Sequence, residues 1–262
     1  WSERDLSDTS FPFLIVDALV LKIREGGRVR SHSALIATGI NAEGYREILG
    51  MQIGNSETEI GWSNLFKQLR ERGLHGVDLV VSDDHTGLVN AVEKNFQKAS
   101  WQRCQTHFTK NILDDCPKRY QRELHGSLRT IFEAADIDTA RMLLKTTLTE
   151  YEDKAPKAAE TLEQGFEDAA AVLNLPEHYR KKLRTTNSIE RLNEEIRRRE
   201  RVIRIFPNEP SAVRLIGAFL MEQHETWSTG RRYFNMEEYW LWKKQQECEN
   251  TIKSMNDYSN AM

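Results

Sequence analysis

Residues 13–23 read FLIVDALVLKI, an apolar and β-branched run with one carboxylate, Asp17, at its middle. Glu25-Gly26-Gly27 follows, which is turn chemistry, and residues 28–40 make a second strand-like stretch, so the pair reads as a hairpin. Asn41-Ala42-Glu43-Gly44 is another turn signal, and residues 45–53 are a third strand, giving a three-stranded meander. Working outward, Ile60, Leu65, Phe66 and Leu69 recur at helical spacing over 57–72, and Gly73 ends that pattern. Residues 77–82 form a short buried strand. Leu88, Val89, Val92 and Phe96 share a helical face over 86–96, and 101–104 is a fifth strand, so the order is βββαβαβ. Beyond residue 106 the strand signals vanish. Successive amphipathic helices fill 106–183, marked by Leu128, Ile131 and Phe132, then Leu143, Leu144 and Leu148, then Leu162 and Phe166, with Pro176 as punctuation. A further helix spans 188–201, before Phe206-Pro207-Asn208.

The chain has 262 residues, 37 Lys+Arg against 40 Asp+Glu, a formal charge of −3, and 39% hydrophobic residues. This balance describes a globular chain of one or two domains and excludes both a disordered polymer and a basic, polyanion-coating tail. No stretch approaches the ~18 apolar residues of a membrane span, and no signal pattern opens the sequence, so a soluble, intracellular protein is expected. Cys104, Cys116 and Cys248 are too few and too irregular for a disulfide framework. Trp1, in place of Met, suggests a piece of a longer chain.

Several residues could carry chemistry. Asp17 would cost several kcal/mol if buried unpaired, so either a basic partner or a strand edge compensates it, or it belongs to a site. Asp83 and Asp84 follow an apolar strand at its C-terminal end, where sheet-based sites gather ligands; they serve equally as caps for the helix beginning near His85. Glu190 with Asn187 has the spacing of a capping box. On a helical wheel Ile189, Leu192, Ile196 and Ile203 share one side, while Glu190, Arg197 and Arg201 fall together on another, an arrangement of either a solvated face or a site for phosphate and a cation. Residues 180–204 hold ten basic residues against four acidic ones, a local charge of +6 in a chain that is −3 overall. Such asymmetry is the footprint of nucleic-acid phosphates, favoured here over a merely solvated charged face. Cys104 and His107 have the spacing of half a zinc site, which Cys116 and His125 could complete, but packing or support of a site is the better reading. Trp227, Trp240 and Trp242 read as core residues ahead of base-stacking ones. No nucleophile elbow supports a serine hydrolase.

Taken in order, residues 13–19 (FLIVDAL), 81–88 (VSDDHTGL), 101–107 (WQRCQTH), 183–193 (LRTTNSIERLN) and 204–208 (RIFPN) resemble the bacterial Mutator-type transposases, insertion-sequence enzymes with a DDE active site. The resemblance implies an α/β, RNase H-like mixed sheet with an all-helical insertion before the last catalytic helix. It divides the chain into a first core part at 1–105, an insertion at 106–183, and a returning core part with the catalytic helix at 184–262. It implies Asp17, Asp83 and Glu190 as catalytic residues and metal ligands for two Mg²⁺ or Mn²⁺ ions, with Cys104 and His107 matching the family's Cys-x-x-His element. Hard oxygen donors suit those cations, which would relieve carboxylate repulsion. The reaction implied is strand cleavage at transposon ends, then transfer of the freed 3′-hydroxyl into target DNA. Arg184, Arg191, Arg197, Arg198, Arg201 and Arg204 would hold the DNA backbone. A homodimer acting in the bacterial cytoplasm, associated with the nucleoid, is expected, without membrane contact. Family members carry an N-terminal end-binding region; about a dozen residues precede the first strand, so that region is expected to be missing from this sequence. Two other readings stay open: an RNase H-like nuclease without strand transfer, and a DNA-binding or assembly module that would survive loss of its carboxylates.

Overall fold

The computed structural model describes residues 2–260, with side chains described as far as residue 252 apart from residue 250. Strand β1 (Phe13–Glu25) turns through Gly26 and Gly27, both at positive φ, into β2 (Arg28–Ile40), and β3 (Arg46–Gly54) completes the meander. Helix α1 (Glu59–Glu71), β4 (Leu79–Ser82), α2 (Thr86–Asn95) and β5 (Ser100–Arg103) follow, so the βββαβαβ expectation matches the observed order. The five strands form one mixed sheet in the order β3-β2-β1-β4-β5. The β1–β2 and β2–β3 pairs are antiparallel, while β1–β4 and β4–β5 are parallel.

Helices then run without interruption by strands: α3 (Gln105–Asp114), α4 (Lys118–Phe132), α5 (Ile137–Tyr151), α6 (Pro156–Ala170), a 3₁₀ turn (Ala171–Asn174), α7 (Glu177–Leu183), α8 (Asn187–Ile203), α9 (Glu209–Thr229) and α10 (Glu237–Asn260). None of the described helices is long and apolar enough to cross a membrane. All three cysteines are free thiols.

Alternation along β1 sorts its side chains between two cores. Leu14 and Val16 face α1 and α2, packing with Trp62, Phe66 and Val92. Phe13, Ile15, Leu19, Leu21 and Ile23 face the other way, against Ile189, Leu192 and Ile196 of α8 and Tyr179, Phe234 and Tyr239. Asp17 has the parity of this second set, so it is the one polar position on the β1 face that α8 covers. A third apolar cluster, from Phe108 to Leu173, closes the α3–α6 helices on themselves. Gln102 of β5 ties that cluster to the sheet: its amide donates to the Ala169 carbonyl and accepts from the Val172 N–H at 2.7 Å.

Three local expectations are corrected. Helix α2 is entered through His85, and neither Asp83 nor Asp84 caps it. Helix α8 is entered through Thr186 and not Asn187, and Glu190 accepts from the Thr186 hydroxyl in place of a capping box. Ile203 leaves the apolar stripe and is 39% exposed, because the chain breaks out of the helix at Arg204 with φ of +63°. Beyond that break Phe206 exchanges backbone hydrogen bonds with Lys22 and Arg24 at the end of β1. The three tryptophans are partly buried against the α8-side core, as core-edge residues.

Candidate active site

Parallel pairing sets the first two carboxylates side by side. The register runs Phe13↔Leu79, Leu14↔Val80 and Ile15↔Val81, so two residues further along Asp17 and Asp83 stand level and with the same parity. Asp17 Oδ1 accepts the Ala18 N–H at 2.8 Å, and Oδ2 accepts the Asn193 side-chain amide of α8 at 2.7 Å. Burial under α8 pushes the Asp17 carboxyl up to about 7, and the negative charges of Asp83 and then Glu190 add to the effect against those two hydrogen bonds.

Glu190 enters from the first turn of α8. Its Oε1 accepts from the Thr186 hydroxyl at 2.6 Å, and the same hydroxyl lies 3.4 Å from Asp83 Oδ1. Thr186 is itself fixed from below, its Oγ1 and backbone N lying 3.3 and 3.4 Å from Cys104 Sγ. His107 closes the group: Nδ1 is 2.6 Å from Asp83 Oδ1 and 3.9 Å from Glu190 Oε1. The adjacent Asp83 carboxylate, and then the contact with Cys104, push the His107 imidazole up to about 10, so an imidazolium sits between two carboxylates at neutral pH. Its buried Nδ1 makes no aligned hydrogen bond, so this contact is one of charge.

The structure thus gathers Asp17, Asp83, Glu190, Cys104 and His107 around one point. Asp84 is turned elsewhere, 2.9 Å from Arg103 Nη2, whose guanidinium lies 4.3 Å over the Phe108 ring. Glu190, Arg197 and Arg201 all lie on the one continuous helix α8. Seven residues of helix separate Glu190 from Arg197 by about 10 Å, and both arginines stay exposed. Arg191, Arg198 and Arg204 are also exposed, Arg198 pairing with Glu195 at 3.0 Å. Arg184 is half-buried at the end of α7, 3.6 Å from Glu133, and lines a cleft of about 820 Å³ with Gln105, Lys110 and Lys181. His125 lines the same cleft, and the Cys116 thiol faces the Pro117 carbonyl, so neither joins Cys104 and His107. Among the described residues, the side chains whose ligand atoms lie within 4.8 Å of one another are Asp83, Cys104 and His107.

Two participants carry no role in the sequence reading, Thr186 and Asn193. Asn193 did leave a signal, as an amide on the buried stripe of Ile189, Leu192 and Ile196. Asp17, Asp83 and Glu190 supply hard oxygen donors around this group, the donor chemistry that divalent cations take, and the Asp17 carboxyl is raised first by burial and then by the Asp83 charge.

The fold and this cluster define an α/β protein with an acidic site between two parallel strands and the helix that covers them. A model of the Mutator family of transposases matches residues 1–230, and the chain belongs to that family. It is 45% identical over 240 residues to the transposase for insertion sequence element IS256 in transposon Tn4001 of Staphylococcus aureus, covering 90% of this chain and 61% of that protein. Identity is 41% over 238 residues with the transposase for ISRM5 of Rhizobium meliloti, covering 91% and 60%. It is 43% over 234 residues with the transposase for IS1081 of Mycobacterium tuberculosis, covering 89% and 56%. The chain therefore spans about three fifths of the length of these relatives.

Proposed function

We propose that this chain is the catalytic portion of an insertion-sequence transposase, cleaving DNA at transposon ends and joining the freed strand to target DNA, with Asp17, Asp83 and Glu190 as the catalytic carboxylates. The observation that carries the reading is the convergence of these three, two brought level by parallel pairing and the third delivered by the helix above them. An RNase H-like core is supported by the strand order β3-β2-β1-β4-β5 with β2 antiparallel to its neighbours. On this reading residues 1–105 and 184–262 are the two parts of the core and 106–183 an insertion, consistent with the separate apolar cluster of α3–α6.

Asp17, Asp83 and Glu190 would hold a pair of Mg²⁺ or Mn²⁺ ions. Bound there, such ions activate a water or a 3′-hydroxyl and stabilise the leaving oxygen of a phosphodiester. The chain's own residues orient the ligands: Asn193 fixes Asp17 Oδ2, Thr186 holds Glu190 Oε1, and His107 holds Asp83 by charge. Arg184, Arg191, Arg197, Arg198, Arg201 and Arg204 would hold the DNA backbone through salt-sensitive contacts. Action as a homodimer on two DNA ends, in the bacterial cytoplasm at the nucleoid, belongs to the same reading.

Hydrolysis of a labelled duplex carrying the transposon end, in Mn²⁺, tests it. Asp83→Asn abolishes cleavage, whereas Asp84→Asn, which only frees Arg103, keeps it. Equal loss in both variants, or cleavage that survives Asp83→Asn, overturns the assignment.

A further inference from the structure

A second cluster of cations lies outside this site. Arg46, at the start of β3, is clamped between two rings, its guanidinium 3.9 Å from the Trp227 ring centre and 4.6 Å from that of Tyr233. Lys182 of α7 lies 4.3 Å from the centre of the same Tyr233 ring and donates to the Tyr233 carbonyl at 2.6 Å. Arg231 and Arg232, both exposed, complete the rim of a cleft of about 720 Å³ that no Asp or Glu lines. Burial, and then the charge of neighbouring cations, depresses both Arg46 and Lys182, the neighbours being Arg191 for the first and Arg46 with Arg231 for the second.

The loop that carries Arg231 and Arg232 is anchored. Tyr233 and Phe234 both donate their backbone N–H to the Gly44 carbonyl, at 2.7 and 3.1 Å. Arg46 and Lys182 are therefore held by aromatic rings and a carbonyl, and Arg231 and Arg232 extend beside them from a loop whose backbone is anchored. Such a cluster is self-repelling until an anion enters, and clamped guanidiniums lose little freedom on binding phosphate. Ser188 and Arg191, which flank Glu190 on α8, face Tyr233, so the cleft adjoins the helix of the acidic site.

We infer that Arg46, Lys182, Arg231 and Arg232 form a phosphate-binding cleft that grips the DNA backbone beside the segment being cut and joined. The inference rests on the DNA-acting reading given above. Its ligand is the phosphodiester backbone, read through charge and without base recognition.

Binding of a fluorescently labelled duplex, followed by anisotropy against salt concentration, tests it on the full chain. Each phosphate contact contributes about 0.9 to the slope of log affinity against log salt. The Arg231→Gln, Arg232→Gln double variant, altered at exposed positions that leave folding intact, therefore loses about 1 to 2 from that slope. Charge-preserving Arg231→Lys, Arg232→Lys keeps it, and Lys182→Gln lowers it independently. An unchanged slope in the Gln variants, with wild-type binding intact, overturns the cleft alone. A wild-type chain without salt-dependent DNA binding overturns the cleft together with the reading beneath it. Displacement of the duplex by micromolar inorganic phosphate would identify a free-phosphate site and likewise overturn the inference.

Discussion

Asp17 shows how a single residue carries both a liability and a function. With its carboxyl pushed up to about 7 from an ordinary 3.8, the folded chain keeps a proton that the unfolded chain has released across that window. Stability therefore falls as pH rises from about 4 to 7, by up to about 4 kcal/mol from this group. In chelator, Asp17→Asn should melt with the wild type near pH 4 and above it near pH 7; a melting difference independent of pH would contradict the assignment. Asn193 acts through Asp17, so Asn193→Ala should weaken Mn²⁺ binding, measured by calorimetry, by about 10- to 100-fold, and unchanged affinity would remove its positioning role. The carboxylates stood out in the sequence as candidates because each sits at a recognisable break in pattern, a charge inside an apolar strand, a strand end and a helix start, but the family resemblance and not the pattern singled out the three. Asn193 left only the trace of an amide on an apolar stripe, since its role exists once α8 lies across β1, a contact between residues 176 apart in the chain, and Thr186 left none, because its partners Asp83 and Cys104 lie 103 and 82 residues away.

At the scale of elements, the hairpin, the two short parallel strands and the run of helices were readable because periodicity and glycine turns are local signals. The entry of α2 near His85 matches the expectation, whereas its capping and the entry of α8 differ. Asp83, Asp84 and Asn187 all have capping chemistry, but tertiary partners claim Asp83 and Asp84, and α8 begins one residue earlier than the Asn187 pattern implies. Gly44 is the element-scale device that joins the β2–β3 turn to the segment before α10. It adopts φ of +92°, and a Cβ there would lie 2.0 Å from the Phe234 carbonyl oxygen. Gly44→Ala should cost about 1–3 kcal/mol from the backbone conformation alone, with a further loss from displacement of Phe234, read from denaturant unfolding. A variant as stable as wild type would mean that the turn and the 233–234 segment are not coupled.

For the whole molecule, the face of the sheet that carries the acidic site is closed by residues distant in sequence. Phe13 meets Tyr179, Phe234 and Tyr239 with ring centres 4.9–6.0 Å apart, and Tyr239 donates to Asp78, which also accepts from Lys243 at 2.5 Å. Sequence patterns could not anticipate this closure or the sheet order, because both depend on non-local pairing; the resemblance to a family supplied the expectation of architecture. Phe13→Ala should lower unfolding free energy by about 3–5 kcal/mol, and a loss under 1 kcal/mol in denaturant titration would show that α10 and α7 do not depend on it. The most direct test of the account is the joining of a pre-cleaved transposon end to target DNA in Mg²⁺ or Mn²⁺, comparing wild type with Glu190→Gln. Joined product forms with the wild type and none with the variant; cleavage without joining, or joining that persists in Glu190→Gln, would contradict the assignment of Glu190 to strand transfer.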